Sequence, residues 1–330
     1  MAADPVELDV AVAVLIERVL RAPSAFYRRR LRSAGIERGT DATAAALRRV
    51  PLTRRAELVE DQLAAPPFGT RRCADAPWPV RAGTTGTGAD LLLLAGSAAD
   101  LARERAVGAR LLGRFGIAAG TRVASALPGA LATPGALLFG DVVEELGGLD
   151  VPLGAVASED EATRAWELMD LVGPAVLVVD TATAGRLFAA VPARPRPWWR
   201  LLVWLDRRGD AAALPVPVAA GFGSQQRRWL AVAEVSSFVA WSCTAGRLQV
   251  DPNLVAEVLE ESGRSPVQPG GTGLLVLTSV DADLPVLRYD TGITAGVPSG
   301  PACPCGQIEP GLEIPGLPAP TIHSRDSDST

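Results

Sequence analysis

The stretch Arg81-Ala82-Gly83-Thr84-Thr85-Gly86-Thr87-Gly88 decides how this chain is read. Gly83, Thr84, Thr85, Gly86 and Thr87 make a glycine-threonine loop of the kind that cradles phosphates, because small residues let backbone amides approach an anion and hydroxyls add donors. Such loops usually work with a lysine, whose ammonium is a compact, mobile charge. This chain has no lysine: all 32 positive side chains are arginine. The loop announces nucleotide chemistry, and the missing ammonium argues against it.

C-terminal to the loop, short apolar runs alternate with longer helical stretches. Strands are expected over 91–94, 122–127, 175–179 and 198–205, with a further apolar run over 230–240; helices are expected over 100–115, 136–146 and 159–172. Such alternation implies a layered α/β fold with helices covering a sheet. Beyond Asp251, Leu254-Val255-Ala256-Glu257-Val258-Leu259-Glu260 reads as helical, and strands over 274–279 and 286–289 form an antiparallel hairpin or small β subdomain. N-terminal to the loop, apolar spacing predicts helix over 8–31, with Gly35 as the stop. Thr53 is the expected cap of a helix over 54–62. Residues 1–312 read as one domain, and the stretch 313–330, rich in proline, serine and aspartate, as a disordered tail.

With 48% hydrophobic residues and mean hydropathy +0.20, the chain can bury a large core. A net charge of −5 and a pI near 5.2 argue against a nucleic-acid partner, which needs a basic face. The uncharged run 123–140 is interrupted by Pro128 and Pro134, so it reads as buried strand, turn and helix, and no membrane partner is expected. The start Met1-Ala2-Ala3-Asp4-Pro5 lacks a secretory pattern, which makes cytoplasmic residence the default. Four cysteines in 330 residues do not make a disulfide scaffold. With one histidine in the chain, His323, no Ser-His-Asp or Cys-His constellation is available.

Four segments together resemble the large N-terminal domain of the adenylate-forming enzymes, in their phenylacetate-CoA ligase branch. They are Phe26-Tyr27-Arg28-Arg29-Arg30-Leu31-Arg32-Ser33-Ala34-Gly35-Ile36; Pro51-Leu52-Thr53-Arg54-Arg55-Ala56-Glu57-Leu58 with Pro67-Phe68-Gly69; the glycine-threonine loop; and Leu284-Pro285-Val286-Leu287-Arg288-Tyr289-Asp290-Thr291-Gly292 followed by Cys303-Pro304-Cys305-Gly306. The resemblance implies an α/β layered large domain with a small β subdomain, without the family's mobile C-terminal domain. It also implies ATP with magnesium, a carboxylic acid that becomes an acyl-adenylate, and transfer to coenzyme A.

The departures fall on the nucleotide. The family's phosphate loop carries two serines, a lysine and a proline that this loop lacks. The family's Tyr-Gly-x-Ser/Thr-Glu segment corresponds to Leu230-Ala231-Val232-Ala233-Glu234, in which the magnesium-binding glutamate alone survives. Glu234 is therefore the candidate catalytic residue. Where the family places an aspartate on both ribose hydroxyls, this chain has Ile293. Each lost charge-assisted contact costs roughly 1.5–3 kcal/mol, so several together weaken nucleotide binding by orders of magnitude.

By the same resemblance, Cys243, Cys303 and Cys305 occupy three of four positions of a structural zinc site, with Thr244-Ala245-Gly246 where the histidine would lie. His323, Cys73 or an acidic side chain could complete it. Reduced buried thiols are the competing reading. The acyl pocket is expected beside Glu234, with Val235, Ser236, Ser237, Phe238 and Trp241 as substrate-binding candidates.

The expectation is a truncated homologue that is defective in ATP-dependent adenylation and retained to bind or transform a small acyl or aryl compound, in a role suited to specialised biosynthesis. An active AMP-forming ligase with a non-standard nucleotide site is one alternative. A noncatalytic partner of another ligase is the other; besides the small compound, the expected partner is another protein or a second copy in a homodimer.

Overall fold

The computed structural model describes residues 5–21, 25–73, 75–127, 134–192, 196–207, 225–263, 265–300, 303, 305–306 and 311–314. The glycine-threonine stretch opens as strand β1 (Arg81–Thr85), which pairs antiparallel with β2 (Leu92–Gly96). The alternating segments then build a large sheet from β3 (Arg122–Ala126), β4 (Leu149–Pro152), β5 (Val176–Asp180), β6 (Leu201–Asp206), β7 (Gln226–Val232), β8 (Ser236–Ser242), β9 (Leu248–Val250) and β13 (Gly311–Leu312). Its order is β13-β9-β8-β7-β6-β5-β3-β4. Strands β4 through β7 run parallel, whereas the β7–β8, β8–β9 and β9–β13 pairs are antiparallel.

Sheet alternation decides which helices cover which face. Val176, Val178, Val203 and Leu205 point to a core shared with Val107, Leu111 and Leu112 of α5 (Ala98–Arg114) and Phe139, Val142 and Val143 of α6 (Pro134–Glu145). Leu177, Val179, Leu202 and Trp204 face the other way, onto Trp166 and Met169 of α7 (Glu159–Val172) and Leu187 and Phe188 of α8 (Thr181–Ala189). Strands buried on both faces explain the near-continuous apolar runs of β5 and β6. Both α5 and α7 begin with a serine capping box, Ser97 with Asp100 and Ser158 with Glu161, which satisfies the orphan amides of the first turn. Among the described residues no helix is long and apolar enough to cross a membrane.

Several expectations change. The run 230–240 is two strands, β7 and β8, joined by a turn at Ala233–Val235, because Ala233-Glu234-Val235 interrupts the ladder. The segment expected as a helix after Asp251 is strand β10 (Leu254–Leu259), paired with β11 (Thr272–Ser279); its β-branched residues and cross-strand partners override the helical spacing. The N-terminal helical run is two helices, α1 (Pro5–Arg21) and α2 (Ala25–Ser33), with Gly35 beyond the second at φ +72°. Thr53 does not cap the next helix. That helix, α4 (Arg55–Ala64), follows the short α3 (Ala44–Leu47) and starts from Arg54, whose amide donates to Glu57 at 2.8 Å, while the Thr53 hydroxyl donates to the Leu287 carbonyl at 2.6 Å. The expected tail lies outside the described residues from 315 onward. Glu313 bridges Gly296 and Ile314 is buried, so the packed chain extends to Ile314.

The strand expected over 286–289 begins later, as β12 (Tyr289–Gly296), which completes the antiparallel sheet β10-β11-β12. The cause is Arg288, a non-glycine residue at φ +47°. Its buried guanidinium donates to Glu257 at 3.0 Å and to the Arg48 and Val50 carbonyls at 2.7 and 2.5 Å, and its amide donates to Thr278 Oγ1 at 2.8 Å. These contacts over-determine the strained backbone and tie the small sheet to the N-terminal helices. Replacing Glu257 by alanine leaves this cation unpaired in the interior. The expected loss is about 3–5 kcal/mol, read as a lower urea midpoint at unchanged m-value.

Candidate functional site

The site forms where β1–β2, the start of α4, the β7–β8 turn and β12 converge. Arg55, the first residue of α4, lies at its centre. Its Nε donates to Asp90 Oδ2 at 3.0 Å, Nη1 to Glu234, and Nη2 to the Thr85 and Asp90 carbonyls at 2.8 and 2.7 Å. Tyr289 of β12 lies against both Arg55 and Glu234; burial, with the Glu234 charge beside it, holds its phenol well above the ordinary range and keeps it neutral. The Glu234 side chain is 11% exposed and the Arg55 side chain 24%.

This arrangement inverts the chemistry expected of the loop. Phosphate cradles aim backbone amides inward; here the carbonyls of Thr85 and Asp90 turn onto a guanidinium. Gly83, Thr84 and Thr85 belong to strand β1, and Gly86 and Thr87 to the turn that follows. Gly86 has φ +78°, and a side chain there would collide with the Asp90 carbonyl and the Arg55 guanidinium. Glycine at this position is explained by the arginine it accommodates. Leu230 and Ile293, where the resemblance would place the adenine and ribose contacts, are 0% and 2% exposed and pack in one apolar cluster with Val239, Leu275 and Leu277.

Beside Glu234 lies a cavity of about 130 Å³. Its apolar lining includes Leu94, Leu101, Val107, Val235 and Leu254. Val235, Ser236 and Ser237 line it; Phe238 and Trp241 do not. Both aromatics are buried in the core under α5 and α6, Phe238 stacked on Trp229 at 4.9 Å between centroids. Ser236 and Phe238, two residues apart on β8, both face α5, Ser236 against Glu104 and Phe238 against Gly108 one turn further along, so the ring packs beyond the cavity. Glu104 of α5 was not singled out in the sequence. It accepts from Ser236 Oγ and from the Ser237 amide, each at 2.8 Å, and burial raises its pKa against the pull of those donors. A polar residue on the inner stripe of a helix is the signal that marks it.

The thiols of Cys243, Cys303 and Cys305 converge with all sulfurs within 4.8 Å. Cys73 is elsewhere, buried with Tyr27 and Leu31 in the N-terminal cluster. Against the effect of burial, hydrogen bonding by Cys305 and Cys243 and the charge of Arg247 pull the Cys303 thiol below its ordinary pKa. Three thiolates are the donor set that suits zinc and supply three of its four positions; among the described residues no fourth His, Cys, Asp or Glu joins them. His323 lies outside the described residues.

Replacing Arg55 by methionine removes the link between the β1–β2 turn and the β7–β8 turn and leaves Glu234 uncompensated. The expected cost is about 3 kcal/mol, and Arg55→Met with Glu234→Gln should recover part of it, read by a double-mutant cycle in urea.

No family model matches the sequence, and no curated protein matches it either. Solved structures do resemble the fold. 2-Hydroxyisobutyryl-CoA ligase in the postadenylation state, in complex with 2-HIB-AMP, superposes with a TM-score of 0.80 at 20% identity, covering 95% of this chain and 66% of that one. An open conformation of the same ligase, in complex with 2-HIB-AMP and CoA, gives 0.80 at 21% identity, covering 96% of this chain and 75% of that one. The chain thus spans about two thirds to three quarters of the length of the ligase structures it matches. Its layered α/β architecture is the adenylate-forming enzyme fold.

Proposed function

We propose that this protein is a phenylacetate-CoA ligase-like member of the adenylate-forming enzymes that is defective in ATP-dependent adenylation and has kept the scaffold to bind, or transform, a small acyl or aryl compound in the cavity beside Glu234. The observation that carries this reading is the Arg55–Glu234 pair. A glutamate that must hold magnesium has to be free to meet a divalent cation. Here a guanidinium already neutralises it, and the same guanidinium fills the loop that would receive pyrophosphate. Loss of the adenine and ribose contacts at Leu230 and Ile293 points the same way, since neither aliphatic side chain offers a hydrogen bond. The branch is supported by the order of the four sequence segments and by the meeting of Cys243, Cys303 and Cys305, which we assign as ligands of a structural zinc joining the β8–β9 hairpin to the segment before β13. With zinc bound, the thiolates would cross-link these strands; no chemistry at the cavity depends on it.

ATP–pyrophosphate exchange across a panel of carboxylic acids should stay at background, and calorimetry with ATP and magnesium should show no saturable binding at micromolar concentrations. Saturable binding there, or exchange with any acid, overturns the defect and makes the protein a working ligase. Purified protein should carry about one zinc per chain, and Cys303→Ser should lower both zinc content and the melting temperature.

A further inference from the structure

The cavity holds two ionisable groups, opposite in sign when charged, that no oppositely charged residue among the described ones pairs with. Arg71 is 4% exposed and lines the cavity. Its Nε is buried without an acceptor, and among the described residues no hydrogen bond or ion pair engages the guanidinium. The nearby Tyr27 phenol does not neutralise it, because burial raises the phenol's pKa. A guanidinium cannot shed its proton, so burying it unpaired is costly unless an anion arrives. Glu104 presents the opposite charge to the same space. Two donors hold its carboxylate, but no arginine among the described residues pairs with it. Each carboxylate oxygen keeps acceptor capacity for a ligand.

The other charges at the cavity are matched from within or lie in solvent. Asp100 pairs with Arg103, Asp251 with Arg110 at 2.9 Å, and Glu234 with Arg55, while Asp281 is exposed. The unmet demand is therefore one anion at Arg71 and one cation at Glu104, in a cavity otherwise lined largely by apolar side chains.

Resting on the reading that this cavity is the acyl or aryl site, we infer that its ligand is a small zwitterion, an amino acid or aminoaryl carboxylic acid, whose carboxylate meets Arg71 and whose ammonium meets Glu104. A simple aliphatic or aromatic acid satisfies one of the two groups; an amino-carboxylic acid satisfies both and leaves its side chain for the apolar wall. The two charged contacts, rather than the apolar lining, set the specificity.

The experiment uses the whole chain in thermal-shift and calorimetric titrations. The probes are the twenty common amino acids and the three aminobenzoic acids, each tested beside its deaminated acid and its decarboxylated amine. An amino-carboxylic acid should raise the melting temperature, and its two one-charge counterparts should bind about tenfold to hundredfold more weakly. Arg71→Gln should abolish the advantage of the carboxylate and Glu104→Gln that of the ammonium. Arg71→Lys, which keeps the charge, should retain part of the affinity. Arg71→Gln should also melt higher than the unaltered protein when no ligand is present, because it removes an unpaired buried cation; a merely structural arginine would give the opposite change. If deaminated acids bind as tightly as amino acids and neither variant alters them, the zwitterion is wrong while acyl or aryl binding stands. If no probe of either kind binds, both readings fall.

Discussion

The guanidinium of Arg55 joins three parts of the fold that also share one apolar cluster. It closes the turn after β1 through the Thr85 and Asp90 carbonyls, anchors the β7–β8 turn through Glu234, and packs beside Tyr289 at the start of β12. An arginine suits this place because its planar fork makes several directed hydrogen bonds at once, which an ammonium cannot do with the same geometry. One side chain thereby fixes the loop, neutralises the surviving glutamate and fills the space that a cradle for phosphate would leave open.

A second cation performs a related task deeper in the molecule. Arg288 reaches Glu257 on β10 and two carbonyls after α3, so the small antiparallel sheet is fastened to the helical N-terminus through one left-handed residue. Both arginines lie in segments that carry the sequence resemblance, and both are committed to internal partners. Arg71 is the contrast: as buried as Arg288, it has no such partner among the described residues. Among the described residues the other buried arginines, Arg196, Arg228 and Arg288, face Asp170, Asp206 and Glu257, and that difference singles out the cavity between α5 and β8.

The large sheet was legible in the sequence because strands buried on both faces must be apolar almost throughout, as Val176 to Val179 and Leu201 to Leu205 are, and because capped amphipathic helices separate them. The edge of the small sheet was not. Leu254, Val255, Val258 and Leu259 have the spacing of a helical face, and pairing with Leu274 to Ser279 overrules it, since a strand's apolar residues need only match what lies across the ladder. The site was half legible. Glu234, Val235, Ser236 and Ser237 adjoin the cavity; Phe238 and Trp241 were drawn in by proximity along the chain, although both are packed into the core under α5 and α6 beyond it. Glu104 and Arg71 carry no motif and lie far from Glu234 in the chain, so only packing reveals them.

By itself the sequence determined the layers, the order of most strands and helices, and the absence of an ammonium from the glycine-threonine loop, because periodicity and residue chemistry are local properties. Tertiary structure alone decided which charges meet. Arg55 and Glu234 are 179 residues apart and Arg288 and Glu257 are 31 apart, and nothing in their neighbours marks them as pairs. Whether a buried charge is answered depends on what the fold brings within about 3 Å of it, and that distance is set by how the sheets and helices pack, not by the order of residues along the chain.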